Sequence, residues 1–174
     1  MRREVVDVPG SPTRGNRTRV TLAYHRALDE KFSHLGFSAV SEQFVELFDR
    51  RTASVRLGMI WRHAPGDDRV PFYNLAYLGG IENLRGYTRG RFRDRGALSG
   101  GITYKYPIWR VVDGTLFYES GRTFHALDEI AFDHWASSVG FGLRVWVPDG
   151  LVFEQLVARS DEELRLLVNF KTVF

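Results

Sequence analysis

Residues 137–147 read Ser-Ser-Val-Gly-Phe-Gly-Leu-Arg-Val-Trp-Val. Val139, Phe141, Leu143 and Val145 share one parity, and Ser138, Gly140, Gly142 and Arg144 share the other. Successive side chains of a β-strand point to opposite faces, so this pattern is a strand with one apolar and one polar face. The same period of two recurs in both directions. Val20, Leu22 and Tyr24 carry it in 17–27, Val55, Leu57, Met59 and Trp61 in 54–63, and Leu98, Ile102, Tyr104 and Tyr106 in 98–106. Leu164, Leu166, Val168, Phe170 and Phe174 carry it in 164–174. Three runs alternate less cleanly: 37–48, 115–124 and 151–159. The first also admits a helical reading, because Phe44 and Phe48 are four apart. The expectation is an all-β chain of about eight antiparallel strands.

Composition narrows the class. A chain of 174 residues suits one domain, and 44% hydrophobic residues exclude intrinsic disorder. No apolar run is long enough for a spanning helix, but a spanning strand needs only about 9–11 alternating residues. With no cysteine, disulfides, Cys-ligated zinc and thiol nucleophiles are excluded. The net charge of +3 is spread along the chain and gives no reason to invoke nucleic acid. Residues 1–16 lack the apolar core of a signal peptide and read as a lead-in to a barrel domain over 17–174.

The connections differ by side. Those at 49–53, 110–114 and 148–150 are short, and Pro148-Asp149-Gly150 is a strong turn signal. Those at 28–36, 64–96 and 125–135 are long, although 160–163 is short. Short turns at one end and long loops at the other are the pattern of a membrane barrel. Arg56, Arg62, Lys105, Arg144 and Lys171 lie opposite the apolar faces. In a barrel they line a wet interior; in a soluble sandwich they face water. Periodicity alone leaves both open.

The segment from Leu78 reads Leu-Gly-Gly-Ile-Glu-Asn-Leu-Arg-Gly-Tyr-Thr-Arg-Gly-Arg-Phe-Arg-Asp. With the preceding Pro71-Phe72-Tyr73, it resembles the long loop of the bacterial surface antigen family, the BamA/TamA-like barrels of outer-membrane assembly and translocation. Residues 101–107, Gly-Ile-Thr-Tyr-Lys-Tyr-Pro, are similar to the family's Glu-Tyr-Arg-Phe-Pro strand. Phe117-Tyr118-Glu119-Ser120-Gly121 resembles its Phe-x-Asp-x-Gly strand, and Gly140, Gly142 and Arg144 match its Gly-x-Gly-x-Arg strand. The terminal Phe170 and Phe174 resemble the C-terminal signal read by the barrel assembly machinery. These matches come in order over the last part of the chain.

The resemblance implies a transmembrane barrel in the bacterial outer membrane, with lipid, the assembly machinery and client polypeptides as partners. It implies no cofactor, no metal and no enzyme activity. It also implies an ion pair between Arg85 of Arg85-Gly86-Tyr87 and Glu119; the alternative is two ordinary solvated charges. Gly79, Gly80 and Gly86 are expected to serve tight loop geometry. Thr103 stands where many members carry a lumenal Glu, which removes one partner of the loop arginine. Family barrels have sixteen strands after periplasmic domains, so this chain reads as the C-terminal half. The 64–96 loop is too long for an eight-stranded interior, which side chains fill. It therefore needs a larger barrel or stays outside. A passive pore or an anchor for an upstream domain is one alternative function; a soluble β-sandwich binding module is another.

The remaining candidates read as structural. His25, His34, His63, His125 and His134 are scattered without metal-ligand spacing. Asp161, Glu162 and Glu163 read as a solvated acidic turn. Ser120 lacks a nucleophile elbow. Trp61, Tyr77, Tyr106, Trp109, Trp135 and Trp146 fall near strand ends, where a membrane barrel places its aromatic girdles.

Overall fold

A computed structural model describes residues 1–8, 10–26, 32–66, 69–130, 133–148 and 150–170. The strands are β1 (Arg2–Val6), β2 (Gly15–His25), β3 (His34–Phe48), β4 (Arg51–His63), β5 (Ala76–Leu78), β6 (Phe92–Asp94), β7 (Gly96–Pro107), β8 (Val112–Phe124), β9 (Ala136–Val147), β10 (Gly150–Arg159) and β11 (Leu164–Phe170). Nine form one antiparallel meander in the order β1-β2-β3-β4-β7-β8-β9-β10-β11. β5 and β6 form a separate hairpin within the long loop. Among the described residues β1 and β11 are each paired on one side, so the sheet keeps two free edges.

All eight expected strands form. The helical reading of 37–48 is overturned: those residues lie in β3, bonded to β2 on one side and β4 on the other. The lead-in assigned to residues 1–16 is corrected too. Residues 2–6 add a ninth strand to the sheet, and β2 already begins at Gly15. The signal was missed because Arg-Arg-Glu-Val-Val does not alternate, and its pairing partner supplies the order. β3 and β4 are joined by Asp49 and Arg50, both with positive φ (45° and 61°), as a two-residue type I′ hairpin requires.

The two faces decide between membrane and water. Leu22, Tyr24, Leu57, Ile102, Tyr118, Val139, Phe141, Leu164, Leu166 and Val168 are exposed on the convex face. Thr52, Ser54, Lys105, Asp113, Thr115, Glu119 and Ser138 are buried on the concave one. A soluble domain does not expose a continuous apolar band of that extent. Lipid outside and a polar interior account for both faces at once. Two residues depart from the expected girdles: Tyr77 lies in β5 of the loop hairpin, and Trp146 is turned inward. Its parity turns it to the concave side, where the Arg50 guanidinium lies 5.5 Å from its ring centroid.

The long loop occupies this concave face. Its buried residues Ala76, Leu78, Leu84 and Tyr87 cluster with Ala97 of β7, and Ile60, Phe92 and Ala136 pack around them. A nine-stranded sheet with free edges is not a closed eight-stranded barrel, so the limit on interior width does not apply.

Candidate functional site: the anchored loop

Glycines set the path of the loop. Gly79 and Gly80 have φ of 108° and 97°, values that L side chains rarely adopt. They reverse the chain, and the Gly80 N–H donates to the Leu84 and Tyr87 carbonyls at 3.1 and 2.9 Å. The turn delivers Arg85-Gly86-Tyr87 to the wall formed by β8, β9 and β10. Gly86 lies so close that an added Cβ would stand 2.6 Å from Ser138 Cβ and 3.1 Å from the Arg159 carbonyl.

Arg85 and Glu119 meet there. Arg85 Nε lies 3.0 Å from Glu119 Oε1, and the Arg85 backbone N–H donates to Oε2 at 2.8 Å. Ser138 Oγ donates to the same Oε2 at 3.3 Å. The Arg85 guanidinium also lies 4.2 Å from the Phe117 ring centroid. Phe117, Glu119 and Gly121 all point inward, as their shared parity requires. Gly121 leaves room for Leu78, Gly140 for the Phe117 ring and Gly142 for Leu156; a Cβ at Gly140 would stand 2.3 Å from Phe117 Cζ. The strand motif therefore clears space for the group that stacks on the loop arginine. Thr103 is half-buried on the inward parity of β7. Arg144 does not join the loop; its Nε is 3.1 Å from Glu154 Oε1 on β10.

A second contact was not anticipated. The acidic turn read as solvated is exposed, and each of its three acids also engages the loop. The Tyr87 hydroxyl donates to Asp161, Thr88 Oγ1 donates to Glu163 at 3.0 Å, and Arg91 Nε donates to Glu162 at 2.8 Å. Ser160 Oγ donates to the Gly86 carbonyl at 2.9 Å, and Arg165 of β11 donates to the Tyr87 carbonyl. Burial and the bond to Asp161 push the Tyr87 phenol up to about 12. The signal that could have found this clasp is the match of Tyr-Thr-Arg-Gly-Arg against Ser-Asp-Glu-Glu. Its partners are more than seventy residues apart.

Phe170 is exposed, with its ring centroid 5.0 Å from that of Phe153 on the neighbouring strand. Phe174 lies outside the described residues.

An inverted sheet holding a pinned loop on its concave face defines a membrane β-barrel chain. The Omp85 superfamily domain matches residues 5–152, and the chain belongs to that superfamily. The fold is similar to the crystal structure of BamA from Haemophilus ducreyi lacking POTRA domains 1–3, with a TM-score of 0.77 and 13% identity. That likeness, one of fold, covers 97% of this chain and 39% of the other. No curated protein matches the sequence.

Proposed function

We propose that this chain is part of an outer-membrane barrel that inserts or translocates other polypeptides, and that it contributes the C-terminal half of that barrel. The observation that carries the reading is the Arg85-Gly86-Tyr87 loop, pinned at Glu119 inside a chain of the Omp85 superfamily. Its work is not bond chemistry, and it needs no cofactor or metal. Among the described residues β11 offers an unpaired edge, and an extended client segment can add to such an edge through main-chain hydrogen bonds. The clasp ties the loop to the hairpin that ends in β11, so loop position and edge position are coupled. In this reading Phe170 and Phe174 are the signal by which the assembly machinery recognises the chain itself.

The test is reconstitution of the full-length natural protein in lipid vesicles with an unfolded outer-membrane barrel as client. Faster appearance of the heat-resistant folded client, relative to empty vesicles, supports the reading. Ion conductance with no effect on the client means a passive pore instead. Recovery of the protein in the aqueous phase without detergent would reject the membrane placement.

A further inference from the structure

At the short-turn end the concave face is not open. Between β1 and β2, residues 10–12 turn inward, and Gly10, Ser11 and Pro12 are buried. Asp7 builds the turn by accepting the N–H groups of Thr13 and Arg14 at 2.9 and 3.1 Å and the Thr13 hydroxyl at 2.5 Å. Burial opposes its ionisation, but these bonds prevail and hold its carboxyl well below the usual range.

The inward segment meets partners about a hundred residues away. Ser11 Oγ donates to Asp113 Oδ2 at 2.5 Å. Lys105 Nζ donates to Ser11 Oγ and to the Pro12 carbonyl, both at 2.6 Å. The Gly10 N–H donates to the Pro148 carbonyl at 3.1 Å. A Cβ on Gly10 would stand 1.8 Å from the Val147 carbonyl oxygen and 2.9 Å from that of Gly150. β7, β8 and the backbone of Val147, Pro148 and Gly150 thus form a niche that accepts a residue without a side chain, followed by a hydroxyl and a carbonyl. Lys105 and Asp113 are 5% and 2% exposed. Arg50 is 3.9 Å from Asp113, and Arg144 is its register partner on β9.

We infer that residues 10–12 are a strap that closes the barrel interior at the short-turn end, with Lys105 as its latch. The long loop packs on the same concave face toward the opposite end, through Leu78, Leu84 and Tyr87. The contacts of the strap are polar, and such bonds exchange with water at small net cost. That makes the strap releasable, unlike an apolar plug. The inference concerns what closes the interior and does not depend on what the barrel handles.

Thr115 supplies a reporter. It is 1% exposed, is paired in register with Lys105, and its hydroxyl has no hydrogen-bond partner among the described residues. The experiment places Thr115→Cys in the full-length protein in vesicles and follows labelling by a membrane-impermeant maleimide, with labelling of the parent subtracted. Labelling is expected to be slow. It should become about tenfold faster with Ser11→Ala or Gly10→Val, the change that follows when one or two hydrogen bonds leave the closed state. Heat-modifiable migration checks folding, and Ser11→Ala decides the test if Gly10→Val does not fold. Fast labelling in the otherwise unaltered protein, or equal rates with and without Ser11→Ala, overturns the strap.

Discussion

Glu119 holds Arg85 twice, taking the guanidinium on one oxygen at 3.0 Å and the backbone N–H on the other at 2.8 Å. One carboxylate on a rigid strand therefore fixes both the side chain and the main chain of the loop. Such an anchor is needed because ordering a long loop costs conformational entropy at every residue.

The two halves of this contact should not be equivalent to mutation. Removing one member of a buried pair costs about 3–5 kcal/mol, mostly from the stranded charge. Glu119→Ala strands Arg85 and also orphans its N–H, so it should release the loop more than Arg85→Ala does. Limited proteolysis within residues 64–95 measures this. The double variant should be less than additive; additive effects would mean that the pair is not coupled in the folded barrel.

The clasp predicts a milder phenotype. Tyr87→Phe keeps the ring, whose centroid lies 5.0 Å from that of Phe92, and deletes the bond to Asp161. A hydrogen bond to a charged acceptor contributes about 1.5–3 kcal/mol. Hydrogen exchange at residues 86–91 should speed up while exchange in β8 stays unchanged. Equal acceleration in β8 would point to a general loss of structure.

Alkaline pH should reproduce that phenotype. The phenol of Tyr87 lies at about 12 in the fold, against about 10 in an unfolded chain. A group with a raised folded value gives its full stabilisation below the unfolded value and loses it as pH rises through the folded one. Loop protection from this source should hold below about pH 10 and fall between about 10 and 12. In Tyr87→Phe that decline should be absent, as amide protection across the range would report.

The last strand tests the inside and outside assignment. Val168 is 51% exposed on the convex face, while Asn169 points inward. A charge facing lipid near the midplane costs about 2–4 kcal/mol, and one facing the interior costs far less. Val168→Arg should therefore lower the folding yield in bilayers much more than Asn169→Arg, as heat-modifiable migration would show. Equal yields would invert the face assignment.

Strand parity was legible in the sequence because it is local. Phe117, Glu119 and Gly121 share a face whatever the strand pairs with, and so do Leu164, Leu166 and Val168. The long loop, its arginine and the partner Glu119 were all legible through family resemblance, and strand parity agrees with the inward position of Glu119. The tertiary structure decided which distant segments meet. Arg-Arg-Glu-Val-Val becomes a strand because β2 presents a complementary edge. The acids at 161–163, still exposed, gain partners because the loop lies across the hairpin that carries them. Ser11 reaches Lys105, ninety-four residues away, because the sheet curves enough to bring its short-turn ends together. Alternation is a property of one strand and its neighbouring residues. Curvature, and the contacts made across a concave face, are properties of all nine strands together.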